Sequence, residues 1–164
     1  MPQSLETIEL QSRLDSAEFA GMSETDATHA YCDYLGSLGA VTRVLVGNMM
    51  QRGLPDRIIV DNAGTIRLIE FKKPRVTKRS NVIQTDRAKW DELGLRASQD
   101  EFLSQGGSNC GVLIMHADAS EWQLWQYSPY EARESSGAYV KTITGRDKIT
   151  RWLVNGTRPL SRQK

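Results

Sequence analysis

The stretch Gly53-Leu-Pro-Asp56-Arg-Ile-Ile-Val-Asp-Asn-Ala-Gly64-Thr-Ile-Arg-Leu-Ile-Glu70-Phe-Lys72-Lys73 limits the fold more than any other part of the chain. Two apolar runs, 56–61 and 65–72, flank Asn-Ala-Gly, which reads as two short strands joined by a tight turn. Asp56 opens the first strand and Glu70 stands near the end of the second, so the hairpin brings the two acids to neighbouring places on one sheet. Lys72 follows Glu70 by two residues and shares its face, because side chains alternate along a strand with period two. Leu68 and Ile69 are apolar on both faces, which makes the second strand central. Ionisable groups are seldom buried in such a strand unless they are paired or bind metal.

Around this hairpin the pattern is α/β. Residues 4–19 form a weak helix with Leu5, Ile8, Leu14 and Phe19 as sparse apolar anchors, and Gly21 separates it from a better one. Ser23 is a good N-cap, followed by Glu24 and Asp26 in the first turn, where acids favour the helix dipole. Ala27, Tyr31, Tyr34, Leu35 and Leu38 then recur at helical spacing, and Gly36 and Gly39 end the helix. Val41–Val46 is β-branched and strand-like. Pro74 stops the Glu70 strand, and a helix follows from Ser80-Asn81 through Trp90 to Gly94. Cys110–His116 is a continuous apolar strand, Trp122–Tyr127 a further strand, and 145–155 a last helix with Ile149, Trp152 and Leu153. Residues 128–142 have no clear pattern. The expected fold is an α/β core with a central mixed sheet of about four to five strands flanked by helices. Its parts are an N-terminal helical extension over 1–22, a core over 23–127, and a C-terminal extension over 128–164 with a short helix and a basic tail.

Composition excludes several classes. The net charge of +1 announces no global basicity. No apolar run approaches the ~20 residues that span a bilayer, and the N-terminus lacks the regions of a signal peptide, so a soluble, cytoplasmic protein is expected. Cys32 and Cys110 stand far apart without a CxxC pair or a Cys/His cluster, which argues for buried free thiols rather than a zinc site. Ser23 and Ser80 have no His/Asp pattern around them, and Asp61-Asn62-Ala63-Gly64 is more simply a hairpin turn than a calcium loop. Trp122 and Trp125 fall on opposite faces of their strand and are read as packing residues.

What remains is chemistry for attacking a phosphodiester. Hydrolysis needs a better nucleophile than free water, neutralisation of charge at phosphorus, and a stabilised leaving oxygen, and one or two Mg²⁺ ions supply much of this. Mg²⁺ is satisfied by one or two carboxylates with waters; Asp56 and Glu70 supply these, with the backbone carbonyl of Phe71 as a third ligand and Mn²⁺ as a substitute ion. Lys72 orients the attacking water or stabilises the developing charge. Glu24, on the helical face of Ala27, Tyr31 and Leu35, is the candidate for a third acid; the alternative is an acid serving only the helix dipole. The run Lys72-Lys73-Pro-Arg75-Val-Thr-Lys78-Arg79 contains no acid, and Lys73, Arg75, Lys78 and Arg79 are expected to contact phosphates.

Pro-Asp followed by Glu-Phe-Lys on the next strand resembles the PD-(D/E)xK nuclease superfamily. More narrowly, the chain is similar to the VRR-NUC family of small, phage-type nucleases over roughly residues 23–127. The matching positions are Glu24, Asn48, Gly53-Leu54-Pro55-Asp56, Glu70-Phe71-Lys72 and Gln84. The resemblance implies a restriction-endonuclease-like core and a metal-dependent endonuclease with Asp56 and Glu70 on the metal. It also implies Lys72 in catalysis, Glu24 and Gln84 in support, no organic cofactor, and a homodimer acting on branched DNA. Two alternatives stay open: a catalytically silent DNA-binding or phage regulatory protein on the same fold, and a nuclease acting on RNA.

Overall fold

The computed structural model describes residues 2–45, 55–74, 102–103, 105, 109–127 and 140–156. Three helices come first: α1 (Leu5–Asp15), α2 (Ala17–Gly21) and α3 (Glu24–Ser37). Six strands follow: β1 (Val41–Val44), β2 (Arg57–Val60), β3 (Ile66–Lys72), β4 (Cys110–Ile114), β5 (Gln123–Tyr127) and β6 (Val140–Thr144). A last helix, α4, spans Arg146–Asn155. The α/β class expected from the sequence is observed, with a mixed sheet flanked by helices.

All six strands belong to one sheet in the order β1-β2-β3-β4-β5-β6. Neighbours are antiparallel except β3 and β4, which run parallel in the register Glu70↔Val112 and Lys72↔Ile114. The strand count corrects the expected four to five. The sixth strand escapes a pattern search because, of its last three residues, only Ile143 is buried while Thr142 and Thr144 are exposed. One inward apolar residue on an edge strand carries almost no periodic signal.

The main core lies on the α3/α4 face of the sheet. Ala27, Tyr31, Tyr34 and Leu35 from α3 and Ile149, Trp152 and Leu153 from α4 pack with Ile59, Ile69, Phe71, Leu113 and Leu124 from the strands. Ser23 caps α3 as expected, its hydroxyl accepting the Asp26 N–H at 3.1 Å. The helix ends at Ser37, with Gly36 in its last turn and Gly39 just beyond the C-cap at φ 105°. The expected first helix is broken at Ser16, whose hydroxyl donates to the Arg13 carbonyl at 2.7 Å. Of its four expected anchors, Leu14 and Phe19 are buried but Leu5 and Ile8 are exposed. Thr7 takes the inward place instead, donating to the Ser37 carbonyl at 3.4 Å. Cys32 and Cys110 are free and buried; burial pushes both thiols up to about 11, which leaves them protonated and unreactive at neutral pH.

The turn between β2 and β3 is tied to the end of α4. Asp61 Oδ1 accepts the Ala63 and Thr65 N–H groups, each at 2.9 Å, and its Oδ2 meets Arg67 Nη1 at 2.6 Å. The Arg67 guanidinium stacks 4.3 Å from the Trp152 ring centroid. Asn62 N–H donates to the Val154 carbonyl at 2.8 Å. Gly156 ends α4 in the left-handed region (φ 66°), and a Cβ there would lie 2.8 Å from Asp61 Oδ2. Gly156→Ala is therefore expected to cost about 1–3 kcal/mol, combining backbone strain with a clash on a buried ion pair. A urea melt that left the midpoint unchanged would show that this end of α4 yields freely.

Candidate active site

Asp56 immediately precedes β2. Its backbone carbonyl accepts the Leu45 N–H at 3.0 Å, which carries the β1–β2 ladder one step past Val44↔Arg57. The β2–β3 register pairs Arg57 with Ile69; continued by one residue, it sets Asp56 opposite Glu70 on the same face.

The next ladder donor on β3, the Phe71 N–H, lies beyond the end of β2. Asp56 Oδ2 accepts it at 2.9 Å. The aspartate side chain thus replaces a missing strand, which fixes its direction. The Lys72 carbonyl accepts from Met115 N–H at 2.8 Å on the β4 side. Backbone groups alternate sides along a strand, so the Phe71 carbonyl faces the β2 side, toward Asp56.

Glu70 and Lys72 share the sheet face opposite α3 and α4, with 1% and 8% of their surface exposed. Lys72 Nζ stands 2.8 Å from Glu70 Oε1 and 4.0 Å from Glu24 Oε1. On the neighbouring strands this face carries Val112, Ile114 and Trp125, all buried, so the ion pair sits in an apolar wall. At such a site each charge interacts more strongly than in water, and neither is stable alone.

Glu24 comes from the first turn of α3. Its other oxygen, Oε2, accepts the Lys73 backbone N–H at 3.0 Å. The structure therefore brings Asp56, Glu70, Lys72 and Glu24 to one end of β3. Gln84, Arg75, Lys78 and Arg79 lie outside the described residues. Among the described residues, no group of three or more His, Cys, Asp or Glu side chains gathers at metal-holding spacing.

Lys73 differs from the sequence expectation. The alternation that gives Glu70 and Lys72 one face gives Phe71 and Lys73 the other. The Lys73 ammonium donates to the carbonyls of Ala20 (2.9 Å) and Met22 (2.6 Å) and lies 5.5 Å from the Phe19 ring centroid. Burial there pushes its pKa down from the usual lysine value. Two donors of this ammonium are thus committed to backbone carbonyls at the end of α2, on the face away from Glu70 and Lys72. The period-two spacing from Phe71 carries this signal, which the composition of the basic run does not.

Just past β4, the His116 carbonyl accepts Trp122 Nε1–H at 2.7 Å. Burial pushes the His116 imidazole pKa down, opposed by Glu121 and Asp118. Trp122 and Trp125 are both buried, the first in the α3/α4 core and the second on the Glu70 face. Among the described residues, no helix is long and apolar enough to cross a membrane. A comparison with protein-family models finds no match, and a search of curated proteins finds none either.

Proposed function

We propose that this chain is a divalent-metal-dependent nuclease of the PD-(D/E)xK type, most like the VRR-NUC family, that hydrolyses phosphodiester bonds of DNA. The observation that carries the reading is Asp56 held on the Phe71 N–H at 2.9 Å, beside Glu70 and Lys72, which share one face of β3 and stand 2.8 Å apart. Further support comes from the order of elements. A capped helix with an early acid precedes a three-strand meander, and β4 then returns parallel to the Glu70 strand. That arrangement suits a restriction-endonuclease-like core.

The donor set fits a hard oxygen-seeking ion. Asp56 and Glu70 are carboxylates on adjacent strands, and the Phe71 carbonyl faces the Asp56 side. Mg²⁺ needs only one or two carboxylates and completes its shell with water and phosphate oxygens, so a closed protein cage is not required. The chemistry supplied by such an ion, when bound, is Lewis acidity at the phosphate and a lower pKa for a coordinated water.

The chain's own residues do the rest. The Phe71 N–H holds Asp56 in one orientation. Glu70 holds the Lys72 ammonium on the site face, where it can donate to a water or to a non-bridging phosphate oxygen as negative charge grows. The apolar wall keeps bulk water from screening this donor. Glu24, 4.0 Å from the ammonium, balances its charge from the helix side.

The deciding experiment incubates the purified protein with labelled duplex, single-stranded, flap and four-way DNAs and with RNA, with Mg²⁺ or with a chelator. Cleavage of DNA that needs the metal is expected, strongest on branched forms. Cutting confined to RNA would reassign the substrate, and DNA binding without any cleavage would leave a silent DNA-binding protein.

A further inference from the structure

We infer that Lys73 is a positioning residue: the clamp it forms with Ala20, Met22 and Glu24 holds the bend between α2 and α3 against the end of β3, and so sets Lys72 and Glu24 relative to the Asp56–Glu70 pair. The inference rests on the nuclease reading for its catalytic consequence. The clamp itself stands on geometry alone.

Two features of Lys73 act together. Its ammonium reaches the carbonyls of Ala20 and Met22 at 2.9 and 2.6 Å, in the last turn and at the C-cap of α2. Carbonyls at a helix end lack intrahelical partners, and a cation there satisfies them. Phe19 lies beside the same ammonium and stacks on Trp122 with centroids 5.6 Å apart, while Trp122 meets Tyr31 edge-on at 4.9 Å. The far end of the clamp is thus anchored in the core.

The backbone is pinned on both sides. The Lys73 N–H donates to Glu24 Oε2 at 3.0 Å, and the Lys72 carbonyl accepts from Met115 N–H at 2.8 Å. One carboxylate, Glu24, therefore touches both lysines: the amide of Lys73 with Oε2 and the ammonium of Lys72, at 4.0 Å, with Oε1. Releasing Lys73 frees the α2–α3 bend, shifts Glu24, and changes what faces Lys72. Displacements of about 1 Å in such a constellation cost up to about 10²-fold in rate.

The test compares Lys73→Met, Lys73→Arg, Glu24→Ala and the Lys73→Met/Glu24→Ala double variant in metal-dependent cleavage. Lys73→Met is expected to lower kcat about tenfold or more, with KM for DNA and the salt dependence of binding unchanged. Lys73→Arg, which can still donate to both carbonyls, restores most of the rate. The double variant is no slower than the worse single one, because both break the same unit. An unchanged kcat, independent additive losses, or a raised KM with a salt slope reduced by about 1, the mark of a phosphate contact, would each overturn the inference. Solvent exchange of the Lys73 amide in wild type and Glu24→Ala judges the clamp without turnover and without Lys73→Met. Exchange about tenfold faster in the variant is expected, and an equal rate refutes the clamp. Wild-type protein that cleaves nothing sinks the nuclease reading and the catalytic half of this inference with it, and the exchange rates still decide the clamp.

Discussion

Glu70→Gln and Lys72→Ala are each expected to lower the rate of metal-dependent DNA cleavage about 10²-fold or more, the usual consequence of removing a group that stabilises developing charge. The two changes act differently. Glu70→Gln keeps the shape of the side chain and its place opposite Asp56, but removes the charge that attracts a cation and holds the Lys72 ammonium at 2.8 Å. Its loss should be partly recovered by raising the Mg²⁺ concentration, if the defect lies in ion affinity. Lys72→Ala leaves both carboxylates in place, so its rate should not respond to added Mg²⁺. The cleaved fraction over time, followed across a metal titration, separates the two. Circular dichroism and thermal melts must accompany the rates, since each variant leaves a buried charge without its nearest partner. Folded variants that cleave as well as wild type would move the active site elsewhere in the chain.

Much of this arrangement was legible in the sequence because it is local. The acids and the lysine sit on one hairpin, and a hairpin's register follows from its turn and its apolar pattern. Alternation alone therefore puts Glu70 and Lys72 on one face, and the buried Leu113-Ile114 run identifies a central neighbour. The N-cap at Ser23 was equally plain, because capping depends on residues three apart. What the sequence did not reveal is tertiary. Asp56 accepting the Phe71 N–H depends on where β2 happens to stop. The pairing of Glu24 with the Lys73 amide joins residues far apart in the chain, and no periodicity predicts it. Leu5 and Ile8 misled because the inward stripe of α1 runs through Thr7, Leu10 and Leu14, and its first place is taken by a hydroxyl, a polar bond that an apolar stripe cannot signal. β6 carries little signal because it lies at an edge and contributes Ile143 alone from its last three residues to the core.

The largest effect on stability is expected at Asp61, away from the candidate site. Its side chain is fully buried and Arg67's nearly so, and the pair closes at 2.6 Å. Burial by itself would raise the Asp61 pKa, but the Arg67 guanidinium and the N–H groups of Thr65 and Ala63 outweigh it and hold the carboxyl below its ordinary value. Asp61→Ala removes the acceptor for two turn N–H groups and strands Arg67 beneath Trp152, a loss of about 3–5 kcal/mol. That is a large part of the roughly 5–15 kcal/mol that keeps a domain folded. Asp61→Asn should lose less, because the amide oxygen can still accept from the turn. The pH dependence gives an independent check. A carboxyl with a lowered pKa in the folded state stabilises the protein fully above its unfolded value, near 3.9 as a rough figure. That contribution is lost as the pH falls through the lowered folded value. Urea melts of wild type and Asp61→Asn should therefore differ most near neutral pH and converge in strong acid. Curves that stay parallel down through that range would show that the Asp61–Arg67 pair contributes nothing to holding the β2–β3 turn on α4.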